Sequence, residues 1–505
     1  MQRLTVGACL AVLLAATACG TTVPVSQQAA GGVQTGNGIG APGDSGLGQV
    51  PVGVGAPTAA GQLPGATTPG GIASGPQGAF TPGTTAPGTV GGTSPTGVNG
   101  RGVTNTTITI GAAIATGTEA AADAFGISGA GSVSEQDVWK AVVNDVNKTG
   151  GVLGRKLALY IHPVDLATFV ANPEQTYGEV CADFKDDHKV FVAMVTISAD
   201  SLRACLAKMG SPLIVYGANV GSIVPAKAYV ENGGNYLYVP GGTTQERLAQ
   251  LFVQSMQARN FTEKWDTTNG GPGSQPVKLG VIHADNPDQN NLYAAYAREL
   301  AKYGLKFDDT VTYSGSVSDA LAATQGAVLK FKADGITHVY GASAFFLRDA
   351  ENQHYRPRYA FIPSLGAFGA ANSPAEQMVG AQTIGWAPTA DVYAPEDPGP
   401  TAGAAHCNAV MKAAGLPMGN RQDLKLMYGI CDSVYSFRAA LSLSKQPTVP
   451  GLRQGYEALG SSFGPALTFT ASLGPGRHYG VNSMRDMAWN VECSCLKYTS
   501  RTNRS

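Results

Sequence analysis

Cysteine, histidine and glycine-flanked serine are the residues of this chain best suited to chemistry. The sequence carries 8 Cys. Cys9 falls inside the apolar run that opens the chain and Cys19 directly after it, which leaves Cys181, Cys205, Cys407, Cys431, Cys493 and Cys495. An even number of cysteines in an exported protein points to disulfides, although sequence alone does not fix their connectivity. The natural grouping joins neighbours: Cys181 with Cys205, Cys407 with Cys431, and Cys493 with Cys495. The competing chemistry is a metal site using His406-Cys407 and Cys493-Ser494-Cys495. Zinc sites favour C-x2-C or H-x3-H spacing, which these residues lack, so no metal is expected. For a nucleophile, Gly126-Ile127-Ser128-Gly129-Ala130 comes near a G-x-S-x-G elbow, but it lacks the last glycine and follows no clear strand. The 7 His form no H-E-x-x-H pair, and there is no phosphate-cradling glycine loop after a strand. An enzyme is not expected, and nothing calls for a cofactor.

The elements that would position these residues begin after a long leader. The chain opens MQRLTVGACLAVLLAATACG. Arg3 precedes an apolar run from Leu4 to Ala16, too short for the roughly 20 residues a membrane span needs. A basic start, a short apolar stretch and small residues describe a signal peptide over residues 1–18. Ala16-Thr17-Ala18-Cys19 resembles a bacterial lipobox, which implies that Cys19 is lipidated and anchors the protein to a membrane. The same Ala16-Thr17-Ala18 also suits an ordinary signal peptidase, which would release a secreted form. Over residues 19–101 the composition turns to Gly, Pro, Thr, Ala and Ser, with one charge, Asp44, and one aromatic, Phe80, between Gly20 and Gly100. Such a segment cannot bury enough apolar surface to order itself, so a disordered linker is expected. About 80 residues would span of order 50 Å.

From Arg101 the pattern is that of a folded body. About 400 residues exceed one compact core, so two lobes are expected. Lys+Arg 34 against Asp+Glu 35 gives a net charge of −1, with no basic stripe, which argues against nucleic acid as a partner. Strand and helix signals alternate. Strands are expected at 106–110, 157–162, 190–195, 213–216, 236–239, 279–283, 311–313, 338–340 and 359–362. Helices are expected at 134–148, capped by Ser134, then around 175–185, 201–209, 244–256 and 290–303, with another ending at Ala333. Repeated βα units predict α/β lobes with parallel sheets, Rossmann-like, whose ligands sit beyond the carboxyl ends of the strands.

Two segments carry a family likeness. Val103-Thr104-Asn105-Thr106-Thr107-Ile108-Thr109-Ile110-Gly111 resembles the opening "GVT-x-x-x-I-x-IG" strand of the type I periplasmic binding proteins. The run from Asn144 to Leu157, with Gly150-Gly151-Val152-Leu153-Gly154-Arg155-Lys156 at its centre, resembles their "N-x-x-GGV-x-GRK" turn. The order of elements over residues 102–498 is similar to the Leu/Ile/Val-binding, ABC-transporter branch, and Cys181 and Cys205 stand near the first disulfide of many members. The resemblance implies two lobes joined by a three-strand hinge, lobe 1 at about 103–240 and 368–448, lobe 2 at about 241–367 and 449–498. It implies closure on a small-molecule ligand, and permease and ATPase subunits of an ABC importer as partners.

Site residues follow by position. The loop after Ile114 offers Thr116 and Phe125. The loop after Val195 normally presents hydroxyls and backbone N–H groups to a carboxylate, which here selects Ser198 and Ala199 at a helix start; Ser198 or Asp200 could equally be a plain helix cap. Ala218 and Asn219 follow strand 213–216. Asp288 stands near the place of a family tyrosine, and Ser364 where members binding an α-amino group have an acid. Tyr340, Ala342 and Phe345 could wall the pocket, although a tyrosine ending a strand is also an ordinary core residue. Without an acid at Ser364 the ligand is not expected to be a simple branched-chain amino acid, unless Asp200 or Asp288 replaces it. Sensing for a signalling partner, and a cell-surface protein with a vestigial cleft, remain the alternative functions.

Overall fold

The structure, a computed structural model, describes residues 100–117, 131–196, 199–218, 220–314, 317–362, 370, 372–392, 401–500 and 504. The signal peptide, Cys19 and the linker expected up to residue 99 lie outside the described residues, as do Phe125, Ser128, Ser198, Asn219 and Ser364.

The first sheet has five strands, β1 (Thr107–Thr116), β2 (Lys156–Asp165), β3 (Val192–Val195), β4 (Leu213–Val215) and β5 (Leu237–Tyr238), in the order β2-β1-β3-β4-β5. All pairings are parallel, with Ile110 opposite Val192 and Ala193 opposite Leu213. Along β1 the side chains alternate between two faces, as strand geometry requires. Ile108, Ile110, Ala112 and Ile114 enter one core and Ala113 another. The first face is covered by α1 (Glu135–Lys148), the second by α2 (Pro173–Ala182) and α3 (Asp200–Lys208). Ser134 caps α1 by accepting the Asp137 N–H, as its sequence position predicts, and Val138, Val142 and Val146 face inward.

The second sheet comprises β6 (Leu279–Ala284), β7 (Phe307–Tyr313), β8 (His338–Tyr340), β9 (Arg358–Ala360), β10 (Gln382–Gly385), β11 (Arg485–Asn490) and β12 (Cys495–Tyr498). Its order is β7-β6-β8-β9-β10-β11-β12, parallel up to β10 and antiparallel beyond. Helices α4 (Gln245–Ala258) and α5 (Pro287–Ala301) cover one face; α6 (Val317–Ala333) and α7 (Ala344–Asn352) cover the other. Two mainly parallel α/β sheets, each with helices on both faces, match the expected fold class.

The expected lobe boundaries need two corrections. Gln382–Gly385, expected in lobe 1, is β10 of the second sheet, between β9 and β11. Val449–Leu459, expected in lobe 2, forms α10 and packs on α9 (Arg421–Ser444) of the first lobe. Gly455 lets the two helices touch: a Cβ there would lie 1.9 Å from the Ala440 carbonyl. Residues 402–413 form α8, which together with α9 packs on α1.

The chain therefore crosses between lobes three times, and the crossings bond to one another. Val239 N–H donates to His478 O (2.8 Å), Gly480 N–H to Val239 O (3.0 Å) and Val481 N–H to Gly242 O (3.0 Å). The Trp386 indole donates to Gly241 O (3.0 Å) and Phe469 N–H to Trp386 O (3.1 Å). Buried Asp432 of α9 accepts the N–H groups of Ala466 (2.6 Å) and Leu467 (3.0 Å). This seam is the three-strand hinge.

Three disulfides join the pairs that the sequence suggests. Cys181–Cys205 links α2 to α3, Cys407–Cys431 links α8 to α9, and Cys493–Cys495 spans the turn between β11 and β12. All six sulfurs are thus removed as thiolate metal ligands. Each of the first two closes a separation of 24 residues. Replacing Cys407 and Cys431 together by alanine is expected to lower stability by about 3 kcal/mol, checked by urea unfolding against the wild type.

Candidate functional site

A parallel sheet of this order reverses direction between its first and third strands, and the crevice there lies beyond the carboxyl ends. In the first lobe that point is the end of β1, at Thr116, and of β3, at Val195. The Thr116 hydroxyl donates to Val164 O (3.2 Å). Thr196 follows, and Ala199 stands at the N-cap of α3. Among the described residues no side chain caps this helix, and a helix start at the carboxyl edge of the sheet favours an anion. Asp200 does not act as the cap; its carboxylate bonds to Arg203 (2.9 Å).

Beside this crevice lies a small apolar pocket, partly open to solvent, lined by Ala113, Ala115, Val164, Phe169, Tyr177 and Leu202 among others. Phe169 and Tyr177 meet edge to face with ring centres 5.8 Å apart. Burial, with Glu174 and Asp288 adding to it, pushes the Tyr177 phenol up, so it stays a neutral donor.

In the second lobe the equivalent point lies between β6 and β8. Asn286 caps α5 by accepting the Gln289 N–H (2.9 Å), with Pro287 at its first position. Asp288, expected to touch ligand, instead pairs with Arg203 of the first lobe through both oxygens, each 3.2 Å from a guanidinium nitrogen. Arg203 is nearly sealed, its side chain 6% exposed, against 24% for Asp288. Burial opposes its charge, yet Asp288 and Asp200 hold the guanidinium above its ordinary value. This fork joins the first turns of α3 and α5, so the carboxyl ends of the two sheets face one another.

Tyr340 is corrected from pocket wall to core. It is buried among Phe252, Phe261, Tyr296 and Phe307, with ring centres 5.4–6.2 Å away. Its strand position points it at the face covered by α4 and α5. Ala218 is likewise buried in the core, so its side chain offers nothing to a ligand. Ala342 is buried in the second lobe and Phe345 lies under the Arg348 guanidinium, 5.4 Å from the ring centre.

Residues that pattern reading passes over stand at the same edge. Glu135, fully buried at the start of α1, bonds to the Tyr216 hydroxyl at the end of β4. Burial raises its carboxyl to about 7, against hydrogen bonds from Tyr216 and the Ala115 backbone. Tyr216 also reaches Ala113 O at 3.2 Å. The phenol hydroxyl is thus shared between the Glu135 carboxyl and the Ala113 carbonyl. Asp423 accepts N–H groups of Ser132 (2.7 Å) and Val133 (3.0 Å), fixing the segment that enters α1. Lys425, one half-turn further on α9, has its ammonium pushed down to about 8 by burial, with Asp391 opposing. Among the described residues no histidine ring bonds to a serine hydroxyl, and no group of His, Cys, Asp and Glu could hold a metal ion. No helix there is long and apolar enough to cross a membrane.

No family model matches the sequence, and no curated protein is detectably similar to it. Solved structures do match. A branched-chain amino acid transporter substrate-binding protein from Streptococcus pneumoniae, in complex with isoleucine, is 14% identical, with 79% of this chain and 99% of that one covered at a TM-score of 0.53. A branched-chain amino acid ABC transporter protein from Thermus thermophilus with bound valine is 13% identical, covering 79% and 96%, at 0.54. An extracellular ligand-binding receptor from Verminephrobacter eiseniae is 15% identical, covering 77% and 99%, at 0.53. The shared fold is that of the type I periplasmic binding proteins.

Three outcomes follow from this geometry. Removing Asp288 (D288A) breaks the interlobe fork while Asp200, on the same helix, still pairs with Arg203. Small-angle scattering should then report a larger radius of gyration, unlike D200A, which keeps the interlobe fork. A cycle of R203A and D288A should give a coupling of about 1–3 kcal/mol in unfolding. For Glu135, the folded pKa stands above the unfolded one, so the folded state binds the extra proton between about 4.5 and about 7. Its contribution is full below that window and lost as pH rises through it. The stability of E135Q relative to wild type should rise across this window and level off above it, measured by urea unfolding at several pH values.

Proposed function

We propose that this chain is an extracytoplasmic binding protein, not an enzyme. It closes two lobes on a small polar or carboxylate-bearing solute and delivers it to the permease and ATPase subunits of an ABC importer. On this reading the lipidated Cys19 holds the protein at the membrane, and the segment up to residue 101 spaces the lobes from it. The observation that carries the reading is the Arg203–Asp288 fork. It brings the carboxyl ends of two α/β sheets face to face around a hydrogen-bonded three-crossing seam, the arrangement that closes on a ligand by hinge motion.

The structural neighbours hold isoleucine and valine; the charges here suit a different cargo. An α-ammonium needs a carboxylate, because an unpaired buried charge is costly. Asp200 and Asp288 are the two acids that could replace the one missing at Ser364, and Arg203 engages both. The solute is therefore not a simple branched-chain amino acid.

Thermal unfolding of the full chain against amino acids, amides, short carboxylates, sugars and aromatic acids tests the reading. A true ligand at about a hundred times its dissociation constant should stabilise by roughly 2.7 kcal/mol. Leucine should give no micromolar signal by calorimetry; such a signal would sink the exclusion of branched-chain amino acids. A folded protein that responds to nothing in the panel would refute solute binding and favour a vestigial cleft.

A further inference from the structure

Helix α9 runs parallel to α1. Its start holds the entry to α1 through Asp423, and its far end holds the exit, where Arg438 donates to the Thr149 hydroxyl (2.8 Å) and carbonyl (3.0 Å). Because α1 starts at the carboxyl edge of the sheet, so does α9. Its first turns therefore belong to the crevice edge of the first lobe. Gly429 lies against Gly217, the residue after Tyr216, where a Cβ would come 2.9 Å from the Gly217 nitrogen. Lys425 stands one turn earlier on that same face. On its other side, Arg421 donates to the carbonyls of Pro388 (3.3 Å) and Val392, which belong to the segment after the second crossing. Lys425 thus sits where the first lobe's crevice meets the second lobe.

Its charged neighbours are engaged, and it is not. Asp423 holds Ser132 and Val133. Asp391 accepts the Ala387 N–H (2.7 Å) and the Tyr498 hydroxyl (2.7 Å). Lys425 lies in the field of Asp391, yet among the described residues its ammonium makes no hydrogen bond and no ion pair within 4.0 Å. The residue is half-buried. The placement has no structural benefit. A cation near a helix start opposes the macrodipole, and partial burial without a partner adds a desolvation cost.

We propose that Lys425 receives the anionic group of the solute and that the solute carries a single carboxylate, an inference that rests on the solute-binding reading above. One ammonium with three free donors matches a monoanion. Asp391 and Asp423, on the elements that flank it, would repel a phosphate dianion or a second carboxylate held close by.

The experiment compares the full chain with K425M and K425R by thermal unfolding and calorimetry. The probes are acetate, pyruvate, benzoate and free amino acids, the amides of these acids, succinate, inorganic phosphate, and glucose. A monocarboxylate should bind the wild type, lose at least tenfold in affinity in K425M, and recover part of it in K425R. The corresponding amide should not distinguish wild type from K425M. Unliganded K425M should melt at or above the wild-type temperature, since it sheds an unpaired charge; if it does not fold, K425Q takes its place. Equal carboxylate binding by wild type and K425M overturns the role of Lys425 and leaves solute binding intact. So does a response confined to amides, glucose, succinate or phosphate. No response to any probe removes the solute-binding reading, and this inference with it.

Discussion

Everything in this molecule is arranged around a seam where three stretches of chain pass one another out of reach of water. Buried backbone groups must find partners, or each costs as much as a lost hydrogen bond. Here the crossings supply partners for one another: Val239 with His478 and Gly480, Gly242 with Val481, Trp386 with Gly241 and Phe469. Two further donors of the third crossing, at Ala466 and Leu467, are taken by the Asp432 carboxylate. Such close passage excludes side chains. A Cβ on Gly480 would lie 2.0 Å from the Pro240 carbonyl, and one on Gly242 2.0 Å from that of Ser222.

With the seam fixed, the ionisable groups of the crevice edge fall into an order. Arg203 reaches across to the other lobe, while Glu135 and Tyr216 lock the ends of β1, β4 and α1 together inside the first. Asp423 and Arg421 fasten the start of α9 to one lobe and to the crossing segment respectively. The edge is thus stiff within each lobe, and the Arg203–Asp288 pair is a contact that lobe opening must break. On the proposed function, exchange of that pair for solute contacts is the differential interaction that would shift a two-state equilibrium.

Local structure was largely legible from the sequence. Ser134 before a 3.6-residue apolar period gave α1 its start, and the apolar run His338–Tyr340 gave β8 to the residue. Which sheet a strand joins was not legible. Gln382–Gly385 is short and half polar, and its place between β9 and β11 depends on partners far away in sequence. The same holds for α10, whose groove on α9 depends on Gly455 meeting Ala440. Within the site, the ends of β1 and β3 follow from topology: Thr116 closes β1 and Ala199 opens α3. Asp288 and Tyr340 did not fall where expected, because neither an ion pair across lobes nor the face a strand-ending tyrosine takes is written in local pattern. Arg203 and Lys425 read as ordinary helical cations until tertiary burial sets them apart.

The number of crossings has a consequence of parity. An odd count obliges a chain that enters through one lobe to leave through the other. Here residues 100–103 belong to the first lobe, with Arg101 bonded to Ser211 and to the Phe184 and Lys185 carbonyls, while Arg504 is clamped to Asp486 in the second. The covalent link to the residues ahead of 100 therefore runs through the first lobe. The second can swing about the seam without dragging on that attachment. An even count would have put both ends on one body and left the other as a closed loop of chain.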